Sequence, residues 1–233
     1  MKKLFLLLLL AGFALPASAQ DDDPKPVRKR FFNVSYISDK IKPTTGDIEL
    51  GSLGEEIEDI ANDNIKGLKN NWGIALTSGR TYSLHGKPLA RLVTIGIDAS
   101  FFDVSYSNYS VGWALNDSFL EGEGGLLEER KFHKFEYSLQ VGPSVTVTPG
   151  RDLTVAAYVR FAPSFTAYYV DKSMGGNYMS MLVTGASASF RSFGAGIEAR
   201  LGSCKYRNFK GDLDLSATKI KTSGFRVYLQ YRW

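Results

Sequence analysis

His133 is the residue in this 233-residue chain whose type best suits proton transfer, since an imidazole can serve an enzyme as a general base near neutral pH. Its neighbours do not support that chemistry. His133-Lys134-Phe135 carries no serine or acid at a spacing that would build a triad, and no second ligand stands at metal-binding spacing. His85 lies in His85-Gly86-Lys87-Pro88 with no acid–base partner beside it. Cys204, the lone cysteine, excludes a disulfide framework within the chain and a cysteine-based zinc site, and its expected role is apolar filler. No cofactor is therefore expected, and catalysis at His133 is the least favoured reading. What the spacing does offer is ionic chemistry. Asp98, Glu136, Arg160, Glu198, Arg200, Arg226, Gln230 and Arg232 all fall on the polar side of segments that alternate residue by residue.

Those segments read as strands. Phe135, Tyr137, Leu139, Val141, Pro143, Val145 and Val147 alternate with Lys134, Glu136, Ser138, Gln140, Ser144 and Thr146. After Pro149-Gly150-Arg151, the residues Leu153, Val155, Ala157, Val159, Phe161, Pro163 and Phe165 continue the apolar face against Thr154, Tyr158, Arg160 and Ser164. A three-residue turn pairs Thr148 with Asp152, aligning Val147 with Leu153, Val141 with Val159 and Leu139 with Phe161. Strands this long exceed the roughly 5 to 6 residues usual in soluble sheets and suit the 9 to 11 of a membrane strand. Pro143 and Pro163 each remove a ladder donor, which sets up either a local bulge or a lateral opening for apolar molecules.

The remaining strands are read the same way. Residues 31–38 form the first, and Trp72, Ile74, Leu76 and Ser78 lead a second. The third is the alternation from Val93 to Phe101, paired to the second so that Leu84 meets Leu89, Leu76 meets Ile97 and Trp72 meets Phe101. That pairing places Arg80 on the apolar face, to be relieved by a bulge or by snorkelling. Residues 105–131 read as irregular and 171–178 as a loop, and the stretch 181–189 is ambiguous. Residues 193–201 form a sixth strand, which a Gly202-Ser203 turn joins to a weak seventh over 204–210, setting Leu201 against Cys204, Ala199 against Tyr206 and Glu198 against Arg207. Residues 210–222 are a last loop before the terminal strand, the eighth.

Between residues 39 and 71 the period changes. Ile57, Ile60, Ala61, Ile65 and Leu68 recur at helical spacing, with Glu55, Glu56, Glu58 and Asp59 at the start and Lys66 and Lys69 at the end. This predicts a short helix in the first long loop, packed on the barrel mouth or presented to a partner. The loops are acidic, with Asp47, Glu49, Glu121, Glu123, Glu128 and Glu129 as well, and solvated loop charge is the expected state.

Lys2 and Lys3, an apolar run to Ala14, and Ala17-Ser18-Ala19 predict a signal peptide over residues 1–19, cleaved before Gln20, with no cysteine for lipidation. Residues 20–30 are expected to be a periplasmic lead-in whose basic end, Arg28 to Arg30, could meet phosphate headgroups, and residues 31–233 the barrel domain. Loss of the signal lysines lowers the formal charge from +4 to +2, too little for a nucleic-acid partner. Past the signal, no apolar run reaches the roughly 20 residues of a spanning helix, so a membrane protein of this sequence must be a closed barrel.

The chain ends Phe225-Arg226-Val227-Tyr228-Leu229-Gln230-Tyr231-Arg232-Trp233. The row Phe225, Leu229, Tyr231 and Trp233 resembles the terminal strand of Gram-negative outer-membrane β-barrels, which the barrel-assembly machinery recognises, although Tyr228 stands where that pattern often has glycine. In overall pattern the mature chain resembles the small porin-type outer-membrane β-barrel proteins. The resemblance implies an all-β, eight-stranded, antiparallel, up-and-down transmembrane barrel, contact with outer-membrane lipid and lipopolysaccharide, and no particular substrate or extracellular partner. The expectation is a non-enzymatic barrel with a structural or surface-interaction role and a lumen filled by its own charges. A narrow channel or a lateral-route transporter of small solutes is the alternative, and behind both stands a lipid-modifying enzyme with His133, on the lipid side near the outer rim, as its base.

Overall fold

A computed structural model describes residues 28–44, 68–85, 88–89, 92–112, 129–150, 152–170, 172–205, 207–210 and 219–233. The elements are β1 (Arg30–Thr44), β2 (Leu68–Ser83), β3 (Val93–Gly112), β4 (Glu129–Val147), β5 (Leu153–Val170), β6 (Ser173–Phe190), β7 (Phe193–Lys205), β8 (Arg207–Lys210) and β9 (Lys219–Arg232). From β1 to β7 each strand pairs antiparallel with the next, and β9 lies between β7 and β1, so the sheet closes on itself. The short β8 extends the place of β7 along β6, which makes eight positions around the barrel. Closure leaves no free edge, the condition for a sheet to cross lipid. At the seam Arg30 and Trp233 exchange backbone hydrogen bonds of 3.1 and 3.2 Å.

Alternation explains the wall. On β5 even-numbered residues such as Tyr158, Arg160, Ala162 and Ser164 are buried, while Val155, Val159, Phe161 and Phe165 are exposed. β9 repeats this with Phe225, Val227, Leu229 and Tyr231 outward. Exposed large apolar side chains stand on every strand from β1 to β9, an apolar band far beyond the few hundred Å² of contiguous apolar patch that soluble monomers show. The registers also fix the tilt. Stepping across from Val145 through Ala157, Ala186, Ile197, Val227, Tyr36, Ile74 and Tyr106, the path returns to β4 at Phe135, a shear of ten residues. Both termini of the barrel, the 148–152 turn and the 191–192 turn lie at one end, which is the periplasmic end of such a barrel.

Several elements differ from the sequence reading. The sixth strand is Ser173–Phe190, a span read as loop and ambiguous stretch, and the hairpin turn sits at Arg191-Ser192, with Arg191 at φ 56°. Gly202 and Ser203 lie inside β7, paired to Met181 and Ser180 on one side and Thr222 and Lys221 on the other. Glycine at 202 serves close packing there rather than a turn, because a Cβ would run into the Met181 side chain. Leu201, Ala199 and Glu198 consequently face Leu182, Thr184 and Gly185 on β6, not residues 204, 206 and 207.

β3 runs on to Gly112 and β4 begins at Glu129, so much of the stretch read as irregular is strand. Between β2 and β3 the pairs are Tyr82 with Ile97 and Leu76 with Val104, and Ser78 pairs Phe102 while Gly79 pairs Ser100, leaving Phe101 as an extra residue. Arg80 does stand on the outer face, its guanidinium 5.2 Å from the Tyr82 ring centroid. β4 and β5 pair two residues away from the expected register, with Val147 opposite Val155 and Val141 opposite Phe161, which keeps every side chain on its expected face. The last strand starts at Lys219, not after Thr222. The expected helix falls on residues 45–67, outside the described residues, and Leu68 and Lys69, read as its end, belong to β2. The signal peptide and most of the lead-in also lie outside the described residues.

Candidate functional site

The lumen is where the strands bring charge together. All eight expected polar residues are buried there: Asp98, Glu136, Arg160, Glu198, Arg200, Arg226, Gln230 and Arg232. Asp39, Asp103 and Lys134 join them, so that five acids face five bases among the described residues. Ions taken from water must recover their solvation from partners, and equal numbers of each sign make that possible.

Asp103 is the hub. Arg226 on β9 donates to both its oxygens at 2.9 and 3.0 Å, Gln140 donates to it from β4, and Arg200 on β7 lies 3.8 Å away. From Gln140 the network continues to Arg160 at 3.1 Å, which reaches Asp98 at 2.9 Å. Ser144 donates to the other Asp98 oxygen at 3.0 Å. The Arg160 guanidinium also lies 3.6 Å from the Tyr158 ring centroid, and the Tyr158 hydroxyl donates to Glu198 at 3.0 Å. A second branch runs from Arg200 to Glu136 at 2.7 Å, from Glu136 to Lys134 at 3.5 Å, and from Lys134 to Asp39 at 3.3 Å. Nearer the periplasm Arg232 donates to Gln230 at 2.7 Å, and Gln230 to Asn33 at 3.0 Å.

These links span the barrel instead of running around its wall. β3 and β9 are separated by two strands, as are β4 and β7, and also β1 and β4, yet Asp103–Arg226, Glu136–Arg200 and Asp39–Lys134 connect them directly. Above the charges, toward the extracellular end, the inward side chains turn apolar: Ile41, Tyr109, Phe132, Tyr168, Val170, Met179, Met181, Cys204 and Ile220 form one cluster. Cys204 is thus the apolar filler expected of it.

At the two prolines the structure shows a broken ladder and a tight contact. The β4–β5 pairing skips residues 139–140 and 142–143, while Pro143 still faces Ile97 on β3 and Pro163 faces Ser180 on β6. Gly142 lies so close to β5 that a Cβ there would meet the Val159 carbonyl. His133 projects from the outer wall, with Tyr106 Oη 2.7 Å and Asn108 Nδ2 3.3 Å from its Nδ1 and with the Tyr169 ring nearby. His85 accepts a hydrogen bond from the Ile95 backbone at 3.0 Å. In the terminal strand Phe225, Leu229, Tyr231 and Trp233 all face outward, and Tyr231 stacks on Trp233 at 5.6 Å.

Sequence reasoning missed Asp103 because the Phe101 bulge reverses which β3 residues face inward. Lys134 was placed on the polar face but not in the network, and Asp39 lay in a segment read as loop. Asp103 carried one available signal: Ser105 and Ser107 follow it at two-residue steps, continuing a polar face out of phase with Asp98.

No protein-family model and no characterised protein matches the sequence. The fold is similar to solved structures at low identity. Neisserial surface protein A is 9% identical, with a TM-score of 0.44, covering 88% of this chain and 97% of that one. Ail, the attachment invasion locus protein of Yersinia pestis, is 12% identical with a TM-score of 0.36, covering 88% and 99%. The outer membrane protease OmpT of Escherichia coli is 11% identical with a TM-score of 0.48, covering 93% and 100%. The apolar wall, the charged lumen and the closed antiparallel sheet give this chain the fold of a small outer-membrane β-barrel.

Proposed function

We infer that this outer-membrane barrel is a sealed, non-enzymatic scaffold whose work is done at its surface, by the loops it displays and the lipid it touches. The observation that carries the reading is the set of ion pairs crossing the lumen, above all Asp103–Arg226 and Glu136–Arg200. A conducting path needs side chains that line a wall and leave the axis to water. Here the charges are spent on one another across the axis, and the apolar cluster lies over them. Proteoliposome swelling tests this. Vesicles holding the refolded protein should swell in small sugars no faster than empty vesicles, and sugar uptake at porin-like rates would overturn the reading.

A second reading attaches to the interrupted β4–β5 ladder, where an apolar solute could leave sideways into the membrane. The Pro143→Ala and Pro163→Ala exchanges restore donors at that seam. Uptake of an apolar solute that falls with both exchanges would favour the lateral route, and uptake unchanged from wild type would remove it.

A further inference from the structure

Six lysines stand on the outer wall at the extracellular end of four neighbouring strand positions, and the registers set them against one another. Lys40 on β1 pairs with Lys69 on β2, Lys42 on β1 pairs with Lys221 on β9, and Lys219 on β9 pairs with Lys205 on β7. All six are exposed. Like charges directly opposed across a ladder repel, so three such pairs in a row are unfavourable for the barrel alone. No carboxylate stands on the outward face of these strands among the described residues to offset them.

The row is level with the membrane. Going from β2 to β7 it climbs two residues on β1, from Lys40 to Lys42, and two on β9, from Lys221 to Lys219. The shear of ten over eight strand boundaries asks for about four residues over three boundaries to hold a constant height. The lysines therefore form a horizontal arc. Beneath it comes a band of small polar residues, Asn71, Ser38, Ser223 and Ser203, and beneath that the exposed Trp72, Tyr36, Phe225 and Leu201. From the apolar band to the lysines is four residues on β1, or about 10 Å vertically at the usual rise and tilt. That is the order of a lipid read from chain to headgroup. Across the barrel the same rim carries the Tyr106, His133 and Tyr169 rings instead.

We propose that the Lys40, Lys42, Lys69, Lys205, Lys219 and Lys221 arc binds the phosphate groups of an outer-leaflet glycolipid. Ammonium groups on flexible stems suit phosphates as point charges, and a level row above an apolar wall fits a lipid whose acyl chains lie along the barrel. A soluble sulfated polysaccharide has no need of the apolar wall or of a constant height. The site is independent of whether the lumen is sealed.

The test uses the full chain refolded in detergent, with its folded gel mobility confirming the barrel. Native mass spectrometry would titrate lipid A carrying both phosphates, and the same lipid dephosphorylated, against wild type and a variant combining Lys40→Gln, Lys42→Gln, Lys219→Gln and Lys221→Gln. Affinity for the phosphorylated lipid should fall about tenfold or more in that variant, and the four Lys→Arg exchanges should restore it. Lys131→Gln with Lys172→Gln, elsewhere on the extracellular rim, should leave it unchanged. On wild type alone, raising salt from about 0.05 to about 0.5 M should weaken the phosphorylated lipid and spare the dephosphorylated one. Equal binding by wild type and the glutamine variant, or equal loss in the Lys131/Lys172 control, would overturn the proposal. So would a variant that loses heparin binding while keeping the lipid, which would make the arc a polysaccharide site.

Discussion

Along single strands the lumen passes from a charged layer to an apolar one: Asp39 gives way to Ile41 on β1, Lys134 to Phe132 on β4, and Arg226, past the uncharged Thr222, to Ile220 on β9. The two layers fill the same narrow space by different physics. In the lower layer each group depends on a named partner at a set distance, as Asp103 does on Arg226. In the upper layer Tyr109, Phe132 and Tyr168 pack by shape, with ring centroids 5.7 and 5.8 Å apart, and no one contact decides the outcome. The difference assigns separate duties. Ion pairs across the barrel are sensitive to register, because a strand slipped by one residue would carry its charge to the lipid side. The apolar cap is indifferent to register in that sense, and an apolar surface beside an ion pair lowers the local dielectric and so strengthens it.

Breaking the lower layer should cost most. Asp103→Ala takes from buried Arg226 the carboxylate it hydrogen-bonds, leaving Glu136 and Glu198 at 3.9 and 3.8 Å, and is expected to destabilise the barrel by about 3–5 kcal/mol in urea unfolding. A loss under about 1 kcal/mol would show the layer to be solvated rather than paired. In the upper layer Met181→Ala should cost about 2–5 kcal/mol, whereas Met181→Leu should stay under about 1.5 kcal/mol because volume, not direction, matters there. If the conservative exchange proved as costly as the truncation, the contrast between the layers would fail. At the β4–β5 seam Gly142→Ala should cost about 1–3 kcal/mol through its clash with the Val159 carbonyl, while Gly150→Ala, where a Cβ meets nothing, should change stability by less than about 1 kcal/mol. On the wall His133→Gln should shift stability by no more than about 1 kcal/mol and leave the lipid A of the host membrane unchanged. Altered lipid A would return His133 to the reaction chemistry that its type suggests.

Much of this could be read from the chain, and the exceptions have physical causes. β4, β5 and β9 are legible because one face is lipid and the other is charge, so the alternation is clean. β6 is not, since its upper half is apolar on both faces, with Met179, Met181 and Val183 inward and Tyr178 and Leu182 outward. An apolar lumen layer thus hid the strand that carries much of it. The Gly202-Ser203 pair has turn chemistry, but its surroundings use the glycine to admit Met181, a demand that appears only once β6 is in place. Asp103 was concealed by one extra residue at Phe101. The lysine arc was invisible for a different reason: its members are scattered from residue 40 to residue 221 and become a row only through the registers and the shear.

Single-channel recording of the refolded barrel in a planar bilayer tests the central claim most directly. The ion pairs across the lumen predict a silent membrane at moderate voltage, in wild type and Glu136→Gln alike, from protein whose gel mobility shows it folded. Steady, discrete openings whose size or ion preference changes when Arg160 or Glu136 is neutralised would contradict it, and would make the charged layer the lining of a channel.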